Sequence, residues 1–128
     1  MSASAQDRIN ALTQRMLKKK LYVVLSTPLD GGAEKLVAHL PAHLEYMIAN
    51  EKKGIVFASG PLSEADGGQK GRGLTVLRAA SNEEARKIAE QDPFVIHGVR
   101  SFEVREWTVM EGSFGVTVNF SDQSMSVA

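Results

Sequence analysis

Two short stretches hold side chains of the kind that move protons. Leu40-Pro41-Ala42-His43-Leu44 carries an imidazole, and Asp92-Pro93-Phe94 carries a carboxylate. In each, a proline restricts the backbone beside the titratable residue. Pro41 suits the first position of a helix, where its missing N–H would have had no intrahelical partner. That predicts a helix from Pro41 to about Lys53, closed by Gly54, with His43 in its first turn at the positive end of the helix dipole. Pro93 pushes Asp92 out of the helical region, so Asp92 is expected where a helix gives way to a strand. A histidine at one helix start and an aspartate at another helix end can meet across a sheet. If they meet, the carboxylate fixes the imidazole tautomer, and the other nitrogen can take a proton from an activated C–H or a phenolic O–H. Such a base contributes about a hundred- to ten-thousand-fold in rate. The plainer alternative makes Asp92 a turn cap and His43 an ordinary helix-start residue.

Other chemistries have less support. His39 and His43 have metal-ligand spacing on an unbroken helix, but Pro41 lies between them and is expected to start a new helix. No metal site is therefore expected. His97 stands alone near a strand end and is assigned to the surface or to a dimer contact. The loop Gly67-Gly68-Gln69-Lys70-Gly71-Arg72-Gly73 has the glycine content of a phosphate loop. It lacks the Gly-Lys-Ser/Thr ending and leads into a strand rather than a helix, so the readings left are a lid over a pocket and a plain hairpin loop. There is no cysteine, which removes disulfides, thiolate nucleophiles and Cys-ligated metals. Lys plus Arg and Asp plus Glu balance at 15 each over 128 residues. A general nucleic-acid binder usually shows a basic excess, so none is expected. No apolar run approaches the roughly 18 residues of a transmembrane helix, and the N-terminus lacks the apolar core of a secretory signal. A cytoplasmic protein without membrane or nucleic-acid partners is the expectation.

The elements that must position His43 and Asp92 follow from periodicity. Ile9, Leu12, Met16 and Leu17 form one apolar stripe, which predicts an amphipathic helix from Gln6 to Lys20. Leu21–Ser26 reads as a buried strand, ended by Thr27-Pro28, and Ala33–Leu40 as a short helix. Ile55–Ser59 and Gly73–Ala79 are the next strands. Ser81-Asn82-Glu83-Glu84 matches a capping box and opens a helix to about Gln91. Phe94–Ile96 is expected to be extended. Phe102–Met110 is a fourth strand, with Phe102, Val104 and Glu106 on one face and Glu103, Arg105 and Trp107 on the other. Glu111-Gly112-Ser113 predicts a hairpin turn into a fifth strand, Phe114–Phe120, followed by a loose tail. The middle of the chain reads β-α-β-β-α-β, an α+β ferredoxin-like order. Its uncovered sheet face calls for a second copy of the chain, as a two-fold homodimer.

The run Pro41-Ala42-His43-Leu44, Gly54, Ser59-Gly60-Pro61-Leu62, Gly73, Ser81–Ala85, Asp92-Pro93-Phe94, Gly98-Val99 and Glu103–Trp107 resembles the YciI-like family of dimeric α/β-barrel proteins. The resemblance spans about residues 21–109. It implies a ferredoxin-like protomer, a dimer, and a pocket holding a His–Asp pair at His43 and Asp92. Ser59, Gly60 and Pro61 would lie beside the pair, and Phe94 would form part of the wall. Relatives include a dehydrochlorinase acting on a chlorinated hydroxyhydroquinone, and muconolactone isomerases share the wider architecture. Two departures stand out. Where the family often has Arg-Pro-Ala-His, this chain has Leu40, so an anion contact is lost or taken over by Arg105 or Arg72. The chain also adds residues 1–20 before the domain at 21–111, and residues 112–128 after it.

The resulting expectation is a cofactor-free lyase or isomerase acting on a small cyclic substrate. His43 is its base, Asp92 orients the base, and Arg105 is the candidate for substrate contact. The alternative is a non-catalytic small-molecule-binding or interaction module of the same fold. A cofactor-independent oxygenase of this architecture is a third reading.

Overall fold

Alternating side chains set the frame of the sheet. In the computed structural model, which describes residues 4–128, strand β1 (Lys19–Pro28) turns Tyr22 and Val24 to one face. Strand β3 (Arg72–Leu77) pairs with it antiparallel, Leu77 opposite Tyr22 and Thr75 opposite Val24, so matching parity puts these side chains together. Strand β2 (Val56–Leu62) pairs antiparallel with the other edge of β3, Ser59 opposite Thr75, with a bulge between Val56 and Ala58. Strand β4 (Arg100–Val109) completes the order β2-β3-β1-β4. Helix α2 (Gly32–Lys52) joins β1 to β2, and helix α3 (Asn82–Glu90) leads from β3 towards β4. This is the βαββαβ, ferredoxin-like α+β fold. Its core cluster joins Tyr22, Val24, Leu77 and Val104 to Ala85 and Ala89 of α3. The alanines bring the helix backbone close to the sheet. The Ser81 half of the expected capping box forms, its hydroxyl accepting from Glu84 N at 3.1 Å, but the reciprocal bond is displaced by one residue: the Glu84 carboxylate accepts from Ala80 N, not Ser81 N, at 2.9 Å.

The path around both prolines differs from expectation. Pro41 does not open a helix; it lies inside α2, and His43 sits mid-helix, away from the positive end of the dipole. Two features keep the helix whole. The carbonyl that Pro41 leaves without an N–H belongs to Val37, which is 78% exposed, so water can satisfy it. The helix start is pinned: Gly32 N donates to Leu29 O, Leu29 N donates to Val99 O, and Gly32 lies so close to Val99 that a Cβ there would fall 1.9 Å from its carbonyl oxygen. Phe94–Ile96 is not extended either. Pro93–Ile96 forms a single-turn helix, α4, with Pro93 at its start and Asp92 as its N-cap. Proline fits the first helical position, and an N-cap takes the extended backbone that proline imposes on its predecessor.

The chain forms two compact units. One is Lys20–Thr108, which holds the sheet with α2, α3 and α4; the other joins the chain's two ends, up to Lys19 and from Val109. In the second unit, helix α1 (Ala5–Thr13) carries a capping box between Ser4 and Asp7. It ends earlier than its stripe suggests, and Lys18 adopts a φ of +52° just before β1 begins. The first three residues of the N-terminal extension lie outside the described residues. At the other end, β5 (Val116–Val118) is shorter than the alternation at Phe114–Phe120 suggests, and it pairs with β6 (Met125–Val127) in a sheet of its own. Residues expected to be a loose tail thus form a strand. The turn between them closes on Asn119 N donating to Ser124 O, and on Asp122 accepting from Ser124 N, both at 3.0 Å.

Candidate active site

Asp92 is held by its own cap. Its Oδ1 accepts from Phe94 N at 2.9 Å, which fixes the carboxylate at the head of α4. The same oxygen lies 2.8 Å from His43 Nδ1, reaching across from the middle of α2, and both side chains are buried. The second oxygen, Oδ2, accepts from Arg100 Nη2 at 3.4 Å. Phe94 completes the group: its ring stacks on the imidazole with centroids 4.2 Å apart, and the Arg100 guanidinium lies 4.8 Å from its centroid.

The electrostatics of Asp92 set the tautomer of His43. Burial alone would push the Asp92 carboxyl up. The hydrogen bonds from His43 and from Phe94 N–H, with the positive charge of Arg100, outweigh it and hold the group below its ordinary range. An ionised carboxylate only accepts, so Nδ1 carries the hydrogen of this bond. Nε2, across the ring, is then the basic nitrogen. Burial also lowers the proton affinity of the Arg100 guanidinium, against the pull of Asp92. Arginine starts so high that it remains cationic.

The imidazole forms part of the wall of a cavity of about 730 Å³ between α2, β2 and the β2–β3 loop. Ser59, Gly60, Pro61 and Phe94 line the same cavity. Ser59 Oγ is 2.8 Å from Thr75 Oγ1. Gln69, Lys70, Gly71 and Arg72 of the glycine-rich loop contribute to its rim, and Arg72 pairs with Glu64 at 2.8 Å. Leu40 presents an apolar side chain there. Arg105 is not among the lining residues: it is exposed and pairs with Glu103 at 3.3 Å. The buried cation of the cavity is Arg100, which the reading of motifs missed. Strand phase would have found it. Arg100 is in step with Phe102 and Val104, which face the helices, whereas Arg105 is out of step with them.

His39 and His43 do share one helix, contrary to expectation, but they have different partners. His39 stacks on His97 with ring centroids 4.2 Å apart. Among the described residues, no group of three or more His, Cys, Asp or Glu is arranged to hold a metal ion. Among the same residues, no helix is long and apolar enough to cross a membrane.

With fold and geometry in view, the class is defined. The chain belongs to the YCII-related domain family, whose model matches residues 20–108. Among solved structures it is similar to 5-chloro-2-hydroxyhydroquinone dehydrochlorinase (TftG) from Burkholderia phenoliruptrix AC1100, in complex with 2,5-dihydroxybenzoquinone. The TM-score is 0.61 at 22% identity, covering 69% of this chain and 93% of that one. That likeness extends to the fold. No curated protein matches the chain.

Proposed function

We propose that this protein is a small-molecule lyase or isomerase in which His43 Nε2 is the general base and Asp92 holds the imidazole. The observation that carries the reading is the 2.8 Å bond from His43 Nδ1 to Asp92 at the wall of a 730 Å³ cavity. It commits one ring nitrogen to the carboxylate and leaves the other for a ligand. Phe94, itself buried and stacked on the imidazole, limits its rotation. The substrate is a small cyclic compound with an acidic C–H or O–H. The base takes that proton, and the electron pair left behind either expels a leaving group, such as halide, or is reprotonated at another atom. The first outcome is a lyase reaction and the second an isomerisation. The dehydrochlorinase of similar fold makes the first the one to test first.

The site lies in one protomer, but the sheet face away from α2 and α3 leaves Leu25 and Trp107 partly exposed, at 38% and 42%. A second copy of the chain covers that face in a homodimer. Light scattering on the purified protein then gives twice the chain mass, and Trp107→Glu gives the monomer.

The test of the enzyme is a panel of chlorinated hydroxyhydroquinones and small unsaturated lactones. Halide is followed by ion chromatography and organic product by mass. His43→Gln should lower turnover by about a hundredfold or more with the fold intact. Unchanged turnover would remove His43 from the mechanism. Saturable binding without any product would favour a binding module instead.

A further inference from the structure

The cavity contains a cation that the His43–Asp92 pair does not need in order to form. Arg100 is 7% exposed, and its Nε is buried without a hydrogen-bond partner among the described residues. A guanidinium carries five N–H donors. The side-chain bond it makes here, Nη2 to Asp92, is 3.4 Å long and single, where charge-assisted bonds usually close to about 2.7–2.9 Å and arginine favours the two-pronged form. A buried charge so poorly satisfied is costly and signals a site built for another acceptor. The guanidinium is also held in place. Phe94 lies against it, and Gly73 makes room for it: a Cβ at Gly73 would fall 2.8 Å from Nη1. Arg100 and His43 line the same cavity.

Counting charges gives Arg100 its task. With His43 neutral, Asp92 and Arg100 cancel. When Nε2 takes a proton from a ligand, the protein side of the cavity gains one positive charge, and the ligand's conjugate base carries the matching negative one. The new charge on His43 is already met by Asp92 at 2.8 Å. Arg100 is then the cation left to meet the ligand. The other cations at the cavity are less suited. Arg72 has a side chain 45% exposed and a carboxylate partner in Glu64, and Lys70 is exposed, so water screens both.

We propose that Arg100 is the anion-recognition residue of this cavity: its guanidinium binds the ionised oxygen of a small ring, an enolate, phenolate or carboxylate, beside His43. The nature of the ligand rests on the function proposed above, whereas the preference for an anion can be measured without turnover.

The experiment is calorimetric binding of two probes of one shape. At pH 7, 2,5-dihydroxybenzoquinone is anionic and its dimethyl ether, 2,5-dimethoxybenzoquinone, is neutral. Wild type should prefer the anion by about ten- to a hundredfold, the range for a hydrogen bond to a charged group. Arg100→Met should abolish that preference while the neutral ether still binds, and Arg100→Lys should keep part of it. Gly73→Ala keeps the charge but crowds Nη1, and should lower the preference with no loss of cation. It provides a reading even if Arg100→Met fails to fold. His43→Gln should retain the preference. No preference in the wild type, or a preference that survives Arg100→Met, overturns the proposal. So does an equal loss for both probes in the Arg100 and Gly73 variants, which would show that Arg100 only braces Asp92. Intact anion selection in a protein that turns over no substrate would instead reject the catalytic reading and leave this one standing.

Discussion

Replacing Asp92 by Asn tests how the buried charges depend on one another. The change is nearly isosteric, and Asn can still accept from Phe94 N, so the cap of α4 largely survives. The charge does not. Arg100, 7% exposed, has Asp92 as its carboxylate partner, at 3.4 Å. Removing one member of a buried pair costs about 3–5 kcal/mol, because the other is left uncompensated. Asp92→Asn should therefore lower unfolding stability at pH 7 by about that amount, measured by urea denaturation. The double variant Asp92→Asn/Arg100→Met should recover much of the loss, since it removes both charges. The pH dependence gives a second check. The Asp92 carboxyl is held below its ordinary value of 3.8. Its contribution is thus fully present above about 3.8, the unfolded value, and is lost as pH falls through the lower, folded value. The gap between wild type and Asp92→Asn should close in strong acid. A loss under about 1 kcal/mol, where exposed pairs fall, or a gap unchanged down to pH 2, would refute the reasoning.

Two further outcomes concern helix α2. Gly32→Ala places a Cβ 1.9 Å from Val99 O. The helix start must move, and thermal denaturation should show a loss of about 1–3 kcal/mol or more; an unchanged midpoint would mean that the contact at Val99 gives way freely. Pro41→Ala restores an N–H to the interior of α2 and should stabilise the protein by up to about 3 kcal/mol. A destabilised variant would refute this expectation.

Much of the sheet was legible because period-two alternation responds to one physical fact, a buried face. Tyr22 and Val24, or Phe102 and Val104, announce it directly. The meeting of His43 and Asp92 was readable as a question, since each stands within two residues of a proline, but the local geometry was not. Local propensity reads a break at Pro41 between two helices, Ala33–Leu40 and Pro41–Lys53. The structure instead runs one helix through the proline, its start seated on Val99 at Gly32, a tertiary contact with no sequence signal of its own. The C-terminal hairpin was misread for a similar reason. The turn from Asn119 to Ser124 depends on side-chain bonds, which compete with propensity over a few residues. Arg100 carries no motif, and only its phase within β4 distinguishes it from Arg105.

The central claim is that Asp92 commits one nitrogen of His43 and leaves Nε2 as the base. A long-range ¹H–¹⁵N correlation spectrum of selectively labelled protein, recorded at alkaline pH where imidazoles are neutral, reads this directly. His43 should carry its hydrogen on Nδ1, and Asp92→Asn should disturb this preference. A hydrogen found on Nε2 in the wild type would contradict it, because Nε2 would then be a donor, and His43 could not be the base.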